Sequence, residues 1–323
     1  MDVLFCIFLI FNFEEGKWNE KFLFEVKAGT LNFQIGVDES GLSTCQYTVD
    51  KDGNIYIYDR YNRAIKKFNE KGKYLAVLSL PEECEVWGMA TLSDYLYLIC
   101  EMWRAHERQV IYSLRKYTSN LKKEKVLLQD TLGAQERSPL MVQFLGELLI
   151  PQGVLETDWK YLYVPDFREE ALLKIDTTGH IVERISIEDY KKDAWMEYME
   201  EEFPYVRGSF GKYFIYYKLD STKICNSRHV TLWKTDLFFY PLGVDTNWNI
   251  YGYASRSPYS GELGVVKITP QGKKIKYDKV RFGGTGFASH ILVTPDGTIY
   301  DLEWVQDSLW RVTALRFWKY LPF

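Results

Sequence analysis

Short runs of alternating apolar and polar residues, broken by glycine-centred turns, dominate this chain and predict strands rather than helices. Residues 49–75 set the pattern. A Lys51-Asp52-Gly53-Asn54 turn leads into an apolar strand, residues 55–58. A polar loop, residues 59–63, separates it from a second strand, residues 64–68, and a turn at 69–72 starts a third at Lys73. Glycine suits such hairpins because it accepts positive φ without a steric penalty. The unit is a β-meander.

It recurs. Residues 157–182 repeat it, with Tyr161-Leu162-Tyr163 in the strand and Lys174-Ile175-Asp176 before a Thr178-Gly179 turn; residues 244–275 repeat it with a longer loop, and 293–315 give a fourth copy. Two weaker copies fill the gaps, 91–121 without the glycine turn and 205–234 as alternating apolar strands alone. The second-strand markers Tyr56, Tyr97, Tyr163, Ile215, Tyr251 and Tyr300 are spaced by about 49 residues on average, within the 40–50-residue period of propeller blades. The long step from Tyr97 to Tyr163 places an insertion near residues 129–149. An irregular β-sandwich is the competing architecture. Three copies of an Asp-led turn running into an Ile-Tyr or Leu-Tyr strand, each followed by a Lys-apolar strand and a glycine turn, argue against it.

These phrases resemble NHL-type repeats, and residues 20–320 as a whole look like the TolB-like propeller superfamily. The resemblance implies an all-β, six-bladed β-propeller with four-stranded antiparallel blades. An N-terminal strand, residues 21–27, is expected to close the ring as the outer strand of the last blade, which removes a free sheet edge. Residues 309–315 then supply a third strand, and the aromatic tail 316–323 packs outside. The division that follows is an apolar N-terminal segment, 1–18, and a propeller, 19–323. The superfamily hosts hydrolases, lactonases, lyases and binding modules alike, so it says little about function.

Composition adjusts this picture modestly. Hydrophobic residues make up 46% and charged residues 26%, enough for a sizeable core, and an aromatic share of 16% favours pleated surfaces. The 40 Lys and Arg are scattered and the net charge is −4, so no basic footprint for nucleic acid exists. Five widely spaced cysteines (Cys6, Cys45, Cys84, Cys100, Cys225) contain no C-x-x-C, against a zinc knuckle or redox dithiol. Buried free thiols are expected, with one Cys84–Cys100 bridge as the alternative. Residues 3–13 are strongly apolar yet too short to span a bilayer, and they lack a positive n-region and cleavage site. They read either as the remnant of an export signal, slightly favoured, or as a strand packed on the body. An extracytoplasmic or cell-envelope location is accordingly favoured over the cytoplasm.

In a propeller the innermost strands line the channel, and loops at one mouth form the usual site. The inner strands are expected at 43–49, 85–91, 151–157, 203–210, 239–245 and 288–294. The candidate mouth comprises Gln46, Asp59, Arg60, Trp87, Asp166, Arg168, Arg207, His290 and Glu303. Arg207 suits a carboxylate or phosphate held by two parallel hydrogen bonds, and His290 suits acid–base chemistry near neutral pH. Against these stand plain ion pairing for Arg207 and an internal hydrogen bond for His290. Only four His occur, and His180 sits in an outer turn, so the three-His zinc site of related lyases is hard to build. The lactonase pattern fails too: no expected inner strand holds an Asn, and only the 85–91 strand begins with Glu, at Glu85. No cofactor is expected; a structural Ca²⁺ held by mouth carboxylates stays open. There is no G-x-S-x-G nucleophile motif or phosphate loop. An acidic helix at 187–202 would lie on the surface or cap the mouth. The leading reading is a monomeric binding module for a protein, peptide or carbohydrate ligand. The alternative is a hydrolase or lyase using His290 with Glu303 or Asp59; a third class is a scaffold acting through an outer blade face.

Overall fold

A computed structural model describes residues 14–16, 18–37, 45–104, 106, 109–122, 124–133, 156–157, 160–166, 168–169, 171–186, 213–217, 222–226, 231–235, 238–257, 260–271, 273–277, 291–309 and 311–322. Their strands gather into six sheets ordered as the sequence runs, four of them built from one stretch of chain and the last two each extended by a strand from the N-terminal end. The first holds Cys45–Val49, Ile55–Asp59, Ala64–Phe68 and Tyr74–Ser79. The second holds Cys84–Leu92, Tyr95–Arg104, Gln109–Thr118 and Glu124–Gly133. The third holds Glu156–Thr157, Leu162–Pro165, Ala171–Ile175 and Ile181–Ser186, and the fourth Tyr213–Tyr217, Thr222–Asn226 and Thr231–Thr235. The fifth holds Phe238–Val244, Ile250–Ser257, Ser260–Ile268 and Lys274–Tyr277, and the sixth Ile291–Val293, Ile299–Gln306 and Val312–Pro322.

The chain is an all-β propeller with four-stranded antiparallel blades. Five blades have all four strands among the described residues. The fourth sheet has three, because the inner strand expected at 203–210 lies outside the described residues. First strands sit side by side around the axis: Cys45–Val49 lies beside Cys84–Leu92, which lies beside Glu156–Thr157, while Phe238–Val244 lies beside Ile291–Val293. Alternation within each strand sends every second side chain into the layer between two sheets. One apolar layer joins the first sheet to the second through Tyr58, Ile65, Val86 and Leu98. Another joins the second to the third through Tyr97, Ile99, Leu162 and Val164.

The sixth sheet takes its fourth strand from the other end of the chain. Trp18–Lys27 pairs antiparallel with Val312–Pro322, and Phe24 stacks on Phe317 at 5.0 Å and on Phe68 of the first sheet at 5.9 Å. Burying an aromatic ring of this kind stabilises by about 2–3 kcal/mol. Glu14–Gly16, assigned from the sequence to the N-terminal segment, adds a fifth, parallel strand at the outer edge of the fifth sheet. The aromatic tail does not pack outside as expected. It belongs to the 312–322 strand, flanked on both sides, with Phe317 and Tyr320 almost fully buried, because Phe317 and Tyr320 point into opposite inter-sheet layers. The insertion expected at 129–149 begins later, since Gln129–Gly133 completes an outer strand. The helix proposed at 187–202 lies outside the described residues.

The repeat has a structural meaning. Five of the six marker positions are tyrosines placed directly opposite a lysine on the next strand: Tyr56 with Lys67, Tyr97 with Lys116, Tyr163 with Lys174, Tyr251 with Lys267, and Tyr300 with Lys319. The sixth marker, Ile215, faces Ile224. Lysine ammonium groups lie over the rings of Tyr56, Tyr251 and Tyr300 at 4.7, 5.3 and 5.4 Å, a favourable cation–π geometry. These pairs also reach the adjoining blade. Tyr56 Oη and Lys67 Nζ both donate to the Ser119 carbonyl, and Lys116 Nζ donates to the Thr177 carbonyl at 2.6 Å.

Candidate functional site

Second strands end, and first strands begin, at the same end of an antiparallel blade, so the loops after the second strands share one rim with the starts of the inner strands. The sequence-chosen residues divide sharply there. Asp59 ends a second strand and is fully buried. Its Oδ1 accepts the Asn62 backbone N–H at 3.0 Å; Oδ2 accepts the Asn62 side-chain amide at 2.7 Å and the Gly36 N–H at 3.0 Å, and lies 2.6 Å from the buried Lys66 ammonium. No acceptor capacity remains for a ligand.

Asp166 repeats the device in the third blade. It accepts the backbone N–H groups of Arg168 and Glu169 at 2.9 and 3.1 Å, and its second oxygen lies 2.5 Å from Arg184 Nη1. Asp307 does so in the sixth, with Leu309, Arg311 and the Arg311 guanidinium. These aspartates cap loops; they are not presented to the channel. Arg168 is also engaged, forming a fork with both oxygens of Asp130, whose carboxyl it holds below the ordinary range. Glu303 accepts the Trp318 indole N–H at 2.9 Å within the sixth sheet. His180 lies exposed in an outer turn, as its sequence context implied. Arg207 and His290, the two residues singled out for chemistry, lie outside the described residues.

Gln46 and Arg60 come together at the rim between the first and second blades, while Trp87 of the second blade's inner strand faces the third blade. Gln46 pairs across the sheet with Tyr58, so both face the second blade. Arg60 Nε reaches Glu85 Oε1 at 2.7 Å. Glu85 stands directly opposite Glu101, which is buried, and Trp87 sits in a β-bulge between Val86 and Gly88. A bulge re-aims a side chain relative to the strand's alternation, which turns the indole onto the layer shared with the third blade.

Two electrostatic features distinguish this rim. Burial raises the Glu85 carboxyl above its ordinary range, with Arg60 opposing and the Glu101 carboxylate reinforcing the rise. Burial and then the Glu85 charge push the Tyr58 hydroxyl up. Like charges directly opposite on neighbouring strands repel, which is why the Glu101 charge adds to the rise at Glu85. In addition, Gln46 Oε1 and Trp87 Nε1 are buried atoms without a hydrogen-bond partner among the described residues. Such an atom costs about 1–3 kcal/mol when left unpaired, and native proteins keep few of them. One is an acceptor and the other a donor.

Tyr58, Glu85 and Glu101 were not among the sequence-chosen site residues. Glu101 carried a readable signal, a charge inside the apolar run Tyr95–Met102. No group of three or more His, Cys, Asp or Glu able to hold a metal occurs among the described residues.

No protein-family model matches the chain, and no curated protein matches it either. Among solved structures, a streptogramin B lyase is similar at 9% identity over 95% of this chain and 98% of that one, with a TM-score of 0.42. The PQQ-bound aldose sugar dehydrogenase of Streptomyces coelicolor is similar at 11% identity over 94% and 98%, with a TM-score of 0.42. A protein of unknown function from Bacteroides caccae is similar at 14% identity over 74% and 83%, with a TM-score of 0.39.

Proposed function

We propose that this chain is a six-bladed, NHL-type propeller acting as a binding module, and that the rim between its first and second blades takes a small hydroxyl-rich ligand such as a sugar unit. The observation that carries the reading is the unsatisfied buried acceptor Gln46 Oε1, on the blade face that meets the Arg60–Glu85 ion pair. A sugar offers donors and acceptors at close spacing together with an apolar ring face. An acceptor, a carboxylate and a guanidinium are the complementary polar groups. Six sheets and the recurring Tyr–Lys register support the blade count and the repeat type. The antiparallel pairing of Trp18–Lys27 with Val312–Pro322 supports closure of the ring by an N-terminal strand.

The test is calorimetry of the purified chain with mono- and oligosaccharides, and with peptides as a parallel arm. A sugar is expected to bind, and Gln46→Ala and Arg60→Ala should each weaken it by about tenfold, about 1.4 kcal/mol, while the melting temperature of the free protein does not fall. Binding unchanged in both variants would move the site elsewhere. Peptides binding where sugars do not would replace the ligand class.

A further inference from the structure

Three sulfur atoms gather on the face of the second blade that meets the first. Cys84 opens that blade's inner strand and Cys100 lies in its second strand; both thiols are free, and the residues are 3% and 0% exposed. The register sets Cys84 opposite Met102 and Cys100 opposite Val86, so the cysteines are diagonal neighbours and Met102 shares their face. Arg115 reaches in from the third strand, donating from Nη2 to Met102 Sδ at 3.4 Å and from Nη1 to Glu124 at 2.8 Å. The surrounding layer, including Tyr58, Ile65, Leu96 and Leu98, is apolar.

The spacing decides what this cluster can do. Diagonal partners on antiparallel strands stand about 7–8 Å apart, at or beyond the roughly 7 Å that a disulfide tolerates without backbone movement. A closed-shell ion between two thiolates needs more room. Two metal–sulfur bonds of about 2.3 Å on opposite sides of an ion separate the sulfurs by about 4.6 Å, against about 2.0 Å in a disulfide. Thiolate and thioether donors in a dry setting favour soft ions of the copper(I) type over harder divalent ones.

We propose that Cys84 and Cys100, with Met102 as a weaker third donor, bind one soft monovalent d¹⁰ cation. Two thiols lose their protons as the ion forms two metal–sulfur bonds. The resulting bis-thiolate complex carries one negative charge, beside the Arg115 guanidinium that reaches Met102. The ion enters and stays monovalent, so no electron is transferred. Entry is past the exposed turn Pro81–Glu83, which immediately precedes Cys84. The site stands independently of the sugar-binding reading.

The experiment titrates the reduced chain, without oxygen, against copper(I) held by bicinchoninate, whose colour falls as the protein withdraws the ion. The expected result is one equivalent withdrawn, two protons released and a higher melting temperature, as binding to the folded state requires. Cys100→Ser should abolish withdrawal, and Met102→Leu should weaken it by about tenfold, the scale of losing a supporting group at a metal site. The double variant C84S/C100S keeps Cys6, Cys45 and Cys225 as a control. Should it fail to fold, Met102→Leu and the proton count carry the test. Equal withdrawal by that control, none by the wild type, or a Cys84–Cys100 disulfide in the isolated protein overturns the proposal.

Discussion

Tyr300 and Glu70 lie at opposite ends of the chain, yet the Tyr300 hydroxyl donates to Glu70 Oε1 at 3.1 Å. Lys319, the cross-strand partner of Tyr300, reaches the same oxygen at 2.6 Å. The contact ties the sixth sheet to the first. Tyr56 and Lys67 grip the second blade at Ser119 in the same way, and Lys116 grips the third at Thr177. In three of the repeats the marker tyrosine or its lysine partner is therefore a latch between blades.

Burial alone would raise the Glu70 carboxyl, but Lys319 and Tyr300 outweigh it and hold it below its ordinary value of 4.5. A depressed carboxyl contributes stability above its unfolded value and loses it as pH falls through the folded one. Glu70→Gln should therefore destabilise at neutral pH by about 1 kcal/mol, and the deficit should close in acid. Thermal melts from pH 7 to pH 3 check this. A double cycle with Tyr300→Phe should show coupling of at least about 0.5 kcal/mol.

Asp301 behaves in the opposite sense. It is 1% exposed, its Oδ2 has no hydrogen-bond partner among the described residues, and burial pushes its carboxyl well above the ordinary range. A raised carboxyl loses stability as pH climbs from its unfolded value towards its folded one. Asp301→Asn, which cannot ionise, should gain on the wild type between pH 4 and pH 8 in melting temperature. A constant difference across that range would show that Asp301 does not titrate.

Removing one member of a buried ion pair leaves the other charge uncompensated, at about 3–5 kcal/mol. Asp59→Ala should lose that much in urea unfolding, because Lys66 is 2% exposed and has Asp59 as its carboxylate partner. The joint replacement Asp59→Leu with Lys66→Met should recover part of the loss. A mild effect of Asp59→Ala would instead put this residue back among ligand contacts.

Gly297 sits at φ 81° in the turn after the sixth inner strand, and a Cβ there would lie 2.4 Å from Tyr251 Oη of the fifth blade. Gly297→Ala should therefore destabilise by more than about 1 kcal/mol, since neither the backbone nor the space suits alanine. Tyr251→Phe in that background should restore part of the stability by removing the clashing oxygen. The backbone strain would remain.

Much of the fold was readable in the chain. The pairing of Lys174 with Tyr163 and of Lys67 with Tyr56 follows from apolar alternation and glycine turns placed a few residues apart. The aromatic tail at 316–323 was misplaced because its alternation matches an exposed edge as well as a flanked strand. Pairing with residues 18–27, nearly the whole chain away, decides between them.

The candidate site was legible in part. Gln46 and Arg60 lie at one rim and Trp87 faces the next blade, while Asp59, Asp166 and Arg168 looked the same in sequence and are engaged in caps and ion pairs. Whether a carboxylate faces a ligand or its own loop depends on which amides and cations surround it, and those come from distant residues such as Gly36, Arg184 and Asp130.

The sequence by itself determined the strands, their turns and the register of the Tyr–Lys repeat, because each depends on interactions spanning a handful of residues. The tertiary structure alone decided that Glu85 meets Arg60, that Trp87 is turned by a bulge, and that Cys84, Cys100 and Met102 share one buried face. Those outcomes depend on how separate strands align and how adjacent blades pack, and no local pattern encodes them.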